Sequence, residues 1–306
     1  MQSDLLNHEN HIAQGRLGRH ETFTPRYGWL KKGYDAVTED GNIFKASDAI
    51  ERLGVGKNMV RSIRYWCQTF KLIEEDSNRE MVPTELGNKL LHDDGWDPFL
   101  EDVASLWLLH WQLFVPPLDA VSWSFAFNKC NLWSFDIKQL GKVIYNAAQK
   151  YPSFLTRSEK TFYRDASCII RMYYESTSKK ESEIECPFTQ LGLIQKAEEV
   201  SLVCYDTGTK RNLPALIFAA SCFSYMIFYA SSGQKTISLY RLTHDINSPG
   251  VVFKLPESAV GDYLYRAASE LNGFSLAEVM GSQQLHFERE PLELYWAALD
   301  KYYTER

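Results

Sequence analysis

The chain has 306 residues, of which 45% are hydrophobic and 24% are charged, a composition typical of a soluble globular protein long enough for two domains. Its net charge of −6 excludes a protein that coats nucleic acid through its overall charge. The charge is uneven, because residues 10–72 contain eleven lysines and arginines against six acids, which leaves +5 there and −11 elsewhere. This distribution predicts a basic amino-terminal module for local DNA contact and an acidic body for other proteins or for chemistry.

Two features predict a cytoplasmic protein without a membrane span. The six cysteines form no CxxC pair and follow no signal-peptide pattern, which favours free thiols in a reducing compartment. The uncharged run 213–230 approaches the length of a membrane span, but Pro214, Ser221 and Ser224 make it a poor one. We therefore expect a buried helix there.

The first helix is predicted to follow an irregular start. Residues 1–15 are polar and without periodicity, which predicts a flexible lead-in. Thr24 and Pro25 are typical of an N-cap and a first helical position, and Leu30 and Tyr34 then supply an apolar face. We therefore expect a helix to begin at Pro25.

His20 and Glu21 lie just before that cap, next to Arg19, where no element of secondary structure explains the combination. They are candidates for a reactive or ligand-binding loop in which both are catalytic. The alternative is a structural clasp in which Glu21 pairs with Arg19 or Arg26. The clasp is favoured, because one histidine beside one glutamate is too little to define a metal or acid–base site.

The stretch 41–84 has the pattern of a winged helix-turn-helix. A short strand is expected at Ile43–Phe44, followed by a short helix that is capped by Ser47 and ended by Gly54. A second helix follows, and two wing strands are expected around a polar turn at 76–79. The second helix has an apolar face with the three-and-four spacing of a helix packed on one side, formed by Met59, Val60, Ile63, Trp66, Cys67 and Phe70.

One stripe of this second helix is cationic, and it lies away from the apolar face. Long basic side chains can contact DNA phosphates and hydrogen-bond to base edges, so we predict that this face binds double-stranded DNA. The alternative is a protein-docking module, or a basic face that is only solvated. The predicted DNA-binding residues, the last of them on the wing, are Lys57, Asn58, Arg61, Arg64, Gln68 and Arg79.

Acidic residues cluster before the next predicted helix, which spans residues 98–115. Asp93, Asp94 and Asp97 are candidates to hold a divalent cation, and a nuclease would need such a site. The alternative is favoured, namely that carboxylates gather there because they stabilise the start of a helix.

The fold class is predicted to be mainly α, with three regions: the lead-in 1–15, a winged-helix module 16–115, and a mainly helical body 116–306. A strand at 237–242 is expected to pair with 251–253 in a small β-hairpin. The carboxy-terminal part is thus either helical with a strand pair or a second winged-helix-like fold. An exposed turn is expected at 177–185. The predicted helices of the body lie within 136–176, 191–203, 213–230, 256–271, a short segment with Ser275 and Glu278 as a capping box, and 292–302.

Sequence signatures of common enzymes are missing. The chain has no Walker loop, GxGxxG, GxSxG or HExxH, and no PD…ExK or His-Asn-His nuclease pattern. The residues by themselves therefore support a DNA-binding protein and no particular enzyme.

Three runs carry a resemblance to a known family: HETF at residues 20–23, RYGWLKKG at 26–33 and SPGVVFKL at 248–255. They resemble the bacterial family typified by SspB. The resemblance implies a component of the DNA phosphorothioation machinery, in which sulfur replaces a non-bridging phosphate oxygen and helps to mark self DNA against phage. It further implies DNA nicking that depends on a metal such as Mg²⁺ or Mn²⁺. The implied partners are a cysteine desulfurase, a sulfurtransferase resembling PAPS reductase, and an ATPase.

Three hypotheses follow. The first is a DNA-binding and nicking subunit, with the nicking site at His20, Glu21 or the acids at 93–97. The second is a non-enzymatic adaptor that recruits the sulfurtransferase to DNA through the acidic body. The third is a winged-helix transcription regulator, which is disfavoured because the large aromatic-rich body has no recognisable sensor motif.

Overall fold

The computed structural model describes residues 2–175, 186–199, 201–230, 233–279 and 281–305, with side chains from His8 onward. Within these residues the chain forms fourteen α-helices and seven short strands. The predicted class, mainly α with a small β-hairpin, is confirmed. The exposed turn expected at 177–185 lies outside the described residues.

The amino terminus is a helix, α1 (Gln2–Ala13), where the sequence predicts a flexible lead-in. Its Ile12 is buried, and the ring of His8 lies 5.4 Å from that of Tyr229. The helix has too few apolar residues for a visible period, and it forms because it packs against residues 215–229.

The predicted winged-helix segment forms helix, turn, helix, helix and hairpin in that order. Its elements are α2 (Trp29–Glu39), a 3₁₀ turn (Ile43–Lys45), α3 (Ala49–Leu53), α4 (Lys57–Thr69), β1 (Ile73–Glu75), β2 (Met81–Pro83) and α5 (Glu85–Leu91). The antiparallel hairpin pairs Glu74 with Val82.

Three details of this segment differ from the prediction. The first helix begins at Trp29 instead of Pro25, because Gly28 takes a left-handed φ of 74° directly before it. The strand expected at Ile43–Phe44 is a 3₁₀ turn. The residue before α3 is Asp48 instead of Ser47, and its side chain makes no capping hydrogen bond.

The middle of the chain contains four helices, two further 3₁₀ turns and one hairpin. In order they are α6 (Val103–Gln112), α7 (Val121–Lys129), α8 (Ile137–Ala148), Pro152–Phe154, α9 (Glu159–Tyr173), Pro187–Leu191, β3 (Ile194–Lys196) and β4 (Val203–Tyr205). The helix predicted over 191–203 is wrong, because Val203 pairs with the distant Phe135 and draws the segment into strands.

Helix α6 also starts later than expected. Its N-cap is Asp102, whose side chain accepts from the backbone N–H of Ala104, so residues 98–102 precede the helix. The helix packs against the turn 187–191 and against residues 215–229, which both lie in the carboxy-terminal half. The predicted module boundary at residue 115 thus follows a helix that contacts the body.

The carboxy-terminal part has a similar order with one more helix, namely helix, strand, three helices, hairpin and a final helix. Its elements are α10 (Ala215–Tyr229), β5 (Thr236–Ser238), α11 (Leu239–His244), α12 (Pro249–Phe253), α13 (Glu257–Glu270), β6 (Phe274–Val279), β7 (Ser282–Phe287) and α14 (Pro291–Thr304). The sheet order is β5-β7-β6, all antiparallel. The alternative of a second winged-helix-like part stays a prediction.

Three predictions for the carboxy-terminal part are wrong in detail. The strand predicted over 237–242 ends at Ser238, because the Ser238 hydroxyl accepts from the Arg241 N–H and starts α11. Its expected partner, 251–253, lies in α12. Ser275 and Glu278 lie in strand β6 and form no capping box.

Helix α10 is the centre of the core. Thirteen of its fifteen residues are buried, which confirms the prediction of a buried helix over 213–230. One hydrophobic cluster extends from Ile12 to Leu299 and includes both ends of the chain. None of the six cysteines, all of which lie in the described residues, forms a disulfide. Over the part of the chain that the structure describes, no helix has both the length and the apolar character needed to span a membrane.

Candidate nucleic-acid interface

A basic groove of about 520 Å³ runs along the exposed side of α4. Helix α4 forms one wall, the loop that precedes α2 forms the other, and residues from β1 and from the segment before α7 close the ends. We call this the α4 groove. Its charged lining consists of Arg16, Arg19, Arg61 and Arg64, with the acids Glu21, Glu75 and Asp119.

The helical period explains why the arginines reach the groove. Val60, Ile63 and Trp66 are buried against the core, which turns the opposite face of α4 outward. The side chain of Arg61 is 55% exposed and that of Arg64 is 31% exposed. The predicted cationic stripe is therefore present on the surface.

The structure brings together some of the predicted DNA-binding residues and separates others. Arg61, Arg64 and Gln68 line the α4 groove. Lys57 and Asn58 are exposed on the first turn of the same helix, beyond the groove. Arg79 lies in the turn of the β1–β2 hairpin, with a φ of 64°, and its carbonyl accepts from the Nζ of Lys45.

Carboxylates pair with cations in or beside the groove. Glu21 lies 3.7 Å from Arg61, and Glu75 lies 3.4 Å from Arg64. Asp119 lies 3.1 Å from Arg16 and 3.6 Å from Lys71. Burial lowers the pKa of Lys71 to about 8, against the opposing effect of Asp119. Three of the four arginines of the groove thus lie beside a carboxylate, so their guanidinium groups are partly oriented by ion pairs.

Glu21 does not form the clasp expected from the sequence. Its partner is Arg61 instead of Arg19 or Arg26. Arg26 instead lies over the rings of Phe23 and Trp29, at 5.3 and 5.2 Å from their centroids. The sequence could not show this pairing, because it depends on how α4 packs beneath the loop.

The loop that carries Arg19 and Glu21 has an uncommon backbone. Four of its five residues have positive φ: Gly18 at 68°, Arg19 at 70°, Glu21 at 49° and Thr22 at 67°. Such conformations cost free energy for residues other than glycine and persist only where the surroundings impose them; they concentrate at functional sites. The conformation places the Arg19 and Glu21 side chains at the groove.

His20 holds this loop in place from below. The ring is buried; its Nε2 lies 2.9 Å from Asp165 Oδ1, and its Nδ1 accepts from the Thr22 N–H at 3.1 Å. Because Nδ1 is an acceptor, Nε2 carries the proton and donates it to the carboxylate. The Ser62 hydroxyl of α4 donates to the His20 carbonyl at 3.1 Å. His20 therefore occupies a structural position, with both ring nitrogens in use.

Asp165 of α9 is the acceptor on which this arrangement depends. It is 1% exposed, and its Oδ2 accepts from the Ser122 hydroxyl at 2.5 Å and from the Gly18 N–H at 3.3 Å. Asp165 was not predicted from the sequence, although its spacing indicates burial. It lies three residues after Phe162 and four before Ile169, on the buried face of α9. A carboxylate on an apolar face requires a buried donor.

Arg16 and Asp119 were also missed, because a backbone pairing remote in sequence brings them together. The Arg16 N–H donates to the Leu118 carbonyl at 2.9 Å, and the Val121 N–H donates to the Arg16 carbonyl at 3.1 Å. No pattern near either residue indicates that contact.

The acids predicted to hold a metal do not share one site. Asp93 is 84% exposed and lies 2.6 Å from Lys31. Asp97 is buried, and its oxygens accept from the N–H groups of Glu101 and Asp102 and from the Ser105 hydroxyl. The N–H and O–H donors around Asp97 are those found at the start of a helix. They occupy both carboxylate oxygens, so the site does not fit a bound cation. Among the described residues, no group of three or more His, Cys, Asp or Glu side chains is placed to hold a metal ion.

Comparison with known proteins places the chain in a family. Residues 17–303 match the sequence model of a family described as "Protein of unknown function (DUF4007)". The chain belongs to that family.

Two solved structures are similar to this SspB-like chain. "Magnesium ion-bound SspB crystal structure" is 33% identical with a TM-score of 0.89, and "SspB crystal structure" is 35% identical with a TM-score of 0.88. Each comparison covers 96% of this chain and 90% of the other. The comparison with curated proteins finds no match. The predicted membership of an SspB-like family is therefore confirmed.

Proposed function

We propose that this SspB-like chain binds double-stranded DNA as a component of a bacterial DNA phosphorothioation system. The observation that carries the proposal is the α4 groove, in which four arginines converge beside a helix with an exposed basic face. The family resemblance supports the system. In that system a cysteine desulfurase, a PAPS-reductase-like sulfurtransferase and an ATPase are the proposed partners.

The geometry suits a helix that enters the major groove. The first turn of α4 presents Lys57 and Asn58, which reach base edges, while Arg61 and Arg64 follow one and two turns later. Arg19 on the facing loop extends the phosphate contacts, and Arg79 on the hairpin turn contacts the adjacent backbone. Glu21 and Glu75 release their arginines when phosphates replace them.

The test is DNA affinity as a function of salt, measured by fluorescence anisotropy with a mixed-sequence duplex. Each lost phosphate contact reduces the slope of log K against log salt by about 0.9. The double substitution Arg61→Ala and Arg64→Ala should therefore lower the slope by about two. The control removes two exposed cations outside the groove, Lys142→Ala with Arg266→Ala. Equal effects of the two double variants would contradict the proposal.

Metal-dependent nicking is the second function that we propose, and one observation favours it. A similar structure is described as "Magnesium ion-bound SspB crystal structure". Glu21 is the candidate for chemistry, since it lies at the groove surface, whereas His20 is buried beneath it. His20 is proposed to act by fixing the position of Glu21.

A plasmid assay separates nicking from the adaptor function. Supercoiled plasmid is incubated over a series of Mg²⁺ and Mn²⁺ concentrations with wild type, Glu21→Gln, His20→Gln and Asp97→Asn. Nicking that is lost in Glu21→Gln, with unchanged thermal stability, supports a role in chemistry. Plasmid left intact by wild type, together with groove-dependent DNA binding, supports a non-enzymatic adaptor that recruits the sulfurtransferase.

A further inference from the structure

A second groove, of about 630 Å³, lies between α13 and the β6–β7 hairpin. We call it the α13 groove. Its rim carries the carboxylates Glu257, Asp262 and Glu278, and Tyr265 stands beside them with 74% of its surface exposed. Its floor is apolar, with Leu276 from the hairpin. None of the described residues that line it is a lysine or an arginine.

The α13 groove is the counterpart of the α4 groove in the similar element order. In both parts a helix is followed by a two-stranded hairpin, and the groove lies beside the helix that precedes the hairpin. The charges differ, because four arginines outnumber three carboxylates in the α4 groove, whereas the described lining of the α13 groove has three carboxylates and no lysine or arginine. DNA phosphates would be repelled there, so this helix is not a second DNA reader.

We propose that the α13 groove docks a basic segment of a partner protein that carries an apolar anchor residue. The charge complementarity is direct, since three carboxylates of the rim face the occupant. Glu257 lies 3.5 Å from His244, and Asp262 lies 3.1 Å from the guanidinium of Arg266, so both carboxylates already have a partner at the edge of the groove. Lysine or arginine side chains of the partner replace these contacts.

Tyr265 supplies the apolar part of the interface. Gly261 lies between Glu257 and Tyr265 along α13, and a Cβ there would lie 3.3 Å from Leu239 Cδ2 and 3.5 Å from Gln283 Oε1, so α13 already packs closely at this point and the anchor of the partner packs against Tyr265 instead. Tyr265 is one helical turn further on and 74% exposed, and tyrosine is among the residue types enriched in hot spots. The inference goes beyond DNA binding and does not depend on it.

The probe is a fluorescein-labelled peptide in which lysines and arginines flank one leucine, titrated with the full chain in an anisotropy assay at low and high salt. The comparison probe has glutamate at every basic position. Glu278→Gln should weaken binding of the basic peptide about threefold, and Tyr265→Ala about tenfold. The matched controls are Glu293→Gln on α14 and Tyr240→Ala on α11, which are similarly exposed but lie outside the groove.

Salt-sensitive binding of the basic peptide that weakens only in the two groove variants supports the proposal. Equal loss in groove and control variants would overturn it, because the attraction would then be general. Saturable binding of the comparison probe or of duplex DNA at this face would also overturn it. Self-association that Glu278→Gln abolishes, seen by sedimentation, would assign the groove to a second copy of the chain instead and likewise overturn it.

Discussion

Removal of the Asp165 carboxylate should destabilise the protein and disturb the α4 groove at the same time. In Asp165→Ala, three donors lose their acceptor: the Nε2–H of His20, the hydroxyl of Ser122 and the N–H of Gly18. The side chains of His20 and Ser122 are almost fully buried, at 2% and 1% exposure, so water does not replace the lost carboxylate as their acceptor. The loop Gly18–Thr22 then loses the contacts that hold its four positive φ angles.

The magnitude follows from the number of orphaned donors. A buried donor left without a partner costs about 1–3 kcal/mol, and three donors lose their acceptor here. We therefore expect the free energy of unfolding to fall by about 4 kcal/mol, near the lower end of the sum. For a chain of this size, that corresponds to a decrease in Tm of roughly 6 °C.

Asp165→Asn should cost less, about 1–2 kcal/mol, because its carbonyl oxygen still accepts one hydrogen bond. The assay is urea unfolding followed by circular dichroism, with DNA affinity measured on the folded variants. Asp262→Ala is the control, since that aspartate is 59% exposed on α13 and a surface substitution changes stability by less than about 0.5 kcal/mol. The reasoning is refuted if Asp165→Ala and Asp262→Ala have equal stability.

Three further predictions concern other parts of the molecule. Glu21→Gln should raise DNA affinity about threefold, because Arg61 loses the carboxylate that competes with phosphate; unchanged affinity in anisotropy titrations would contradict this. Gly33→Ala should destabilise by about 1–3 kcal/mol in urea unfolding, because its Cβ would lie 2.5 Å from Cys67 Sγ. Burial lowers the pKa of His110 from 6.5 to about 3, so the unfolded chain binds a proton that the folded chain does not, and stability should fall as pH decreases below 6.5. A His110 ring resonance that titrates near 6.5 in the folded protein would contradict that prediction.

Helices with a long, regular apolar period were found from the sequence, whereas several short elements after residue 186 were not. The periods of α4 and α14 and the uncharged run of α10 identify their helices, because burial of one face or of the whole helix dictates the pattern. Strands β3 and β4 have three residues each, too few for an alternation to stand out. Their existence depends on pairing between distant segments, which overrides local propensity.

The part of the candidate interface that lies on α4 could be predicted from the sequence, because it depends on the helical repeat. Arg61, Arg64 and Gln68 lie on one helix, so their common face follows from the helical repeat alone. Asp165 is 145 residues from His20, and its role depends on tertiary contact. The sequence shows only that an unusual loop exists, and the structure shows that the loop is clamped from beneath.

The two grooves differ in charge, and the net charge of the chain averages over this difference. A net charge of −6 describes neither surface, since four arginines outnumber three carboxylates in the α4 groove, whereas the described lining of the α13 groove has three carboxylates and no lysine or arginine. The two grooves share no lining residue, and one continuous hydrophobic cluster joins the parts that carry them. The proposed DNA and the proposed basic segment would therefore bind at separate grooves and would not compete. The difference in charge would favour a different partner at each groove.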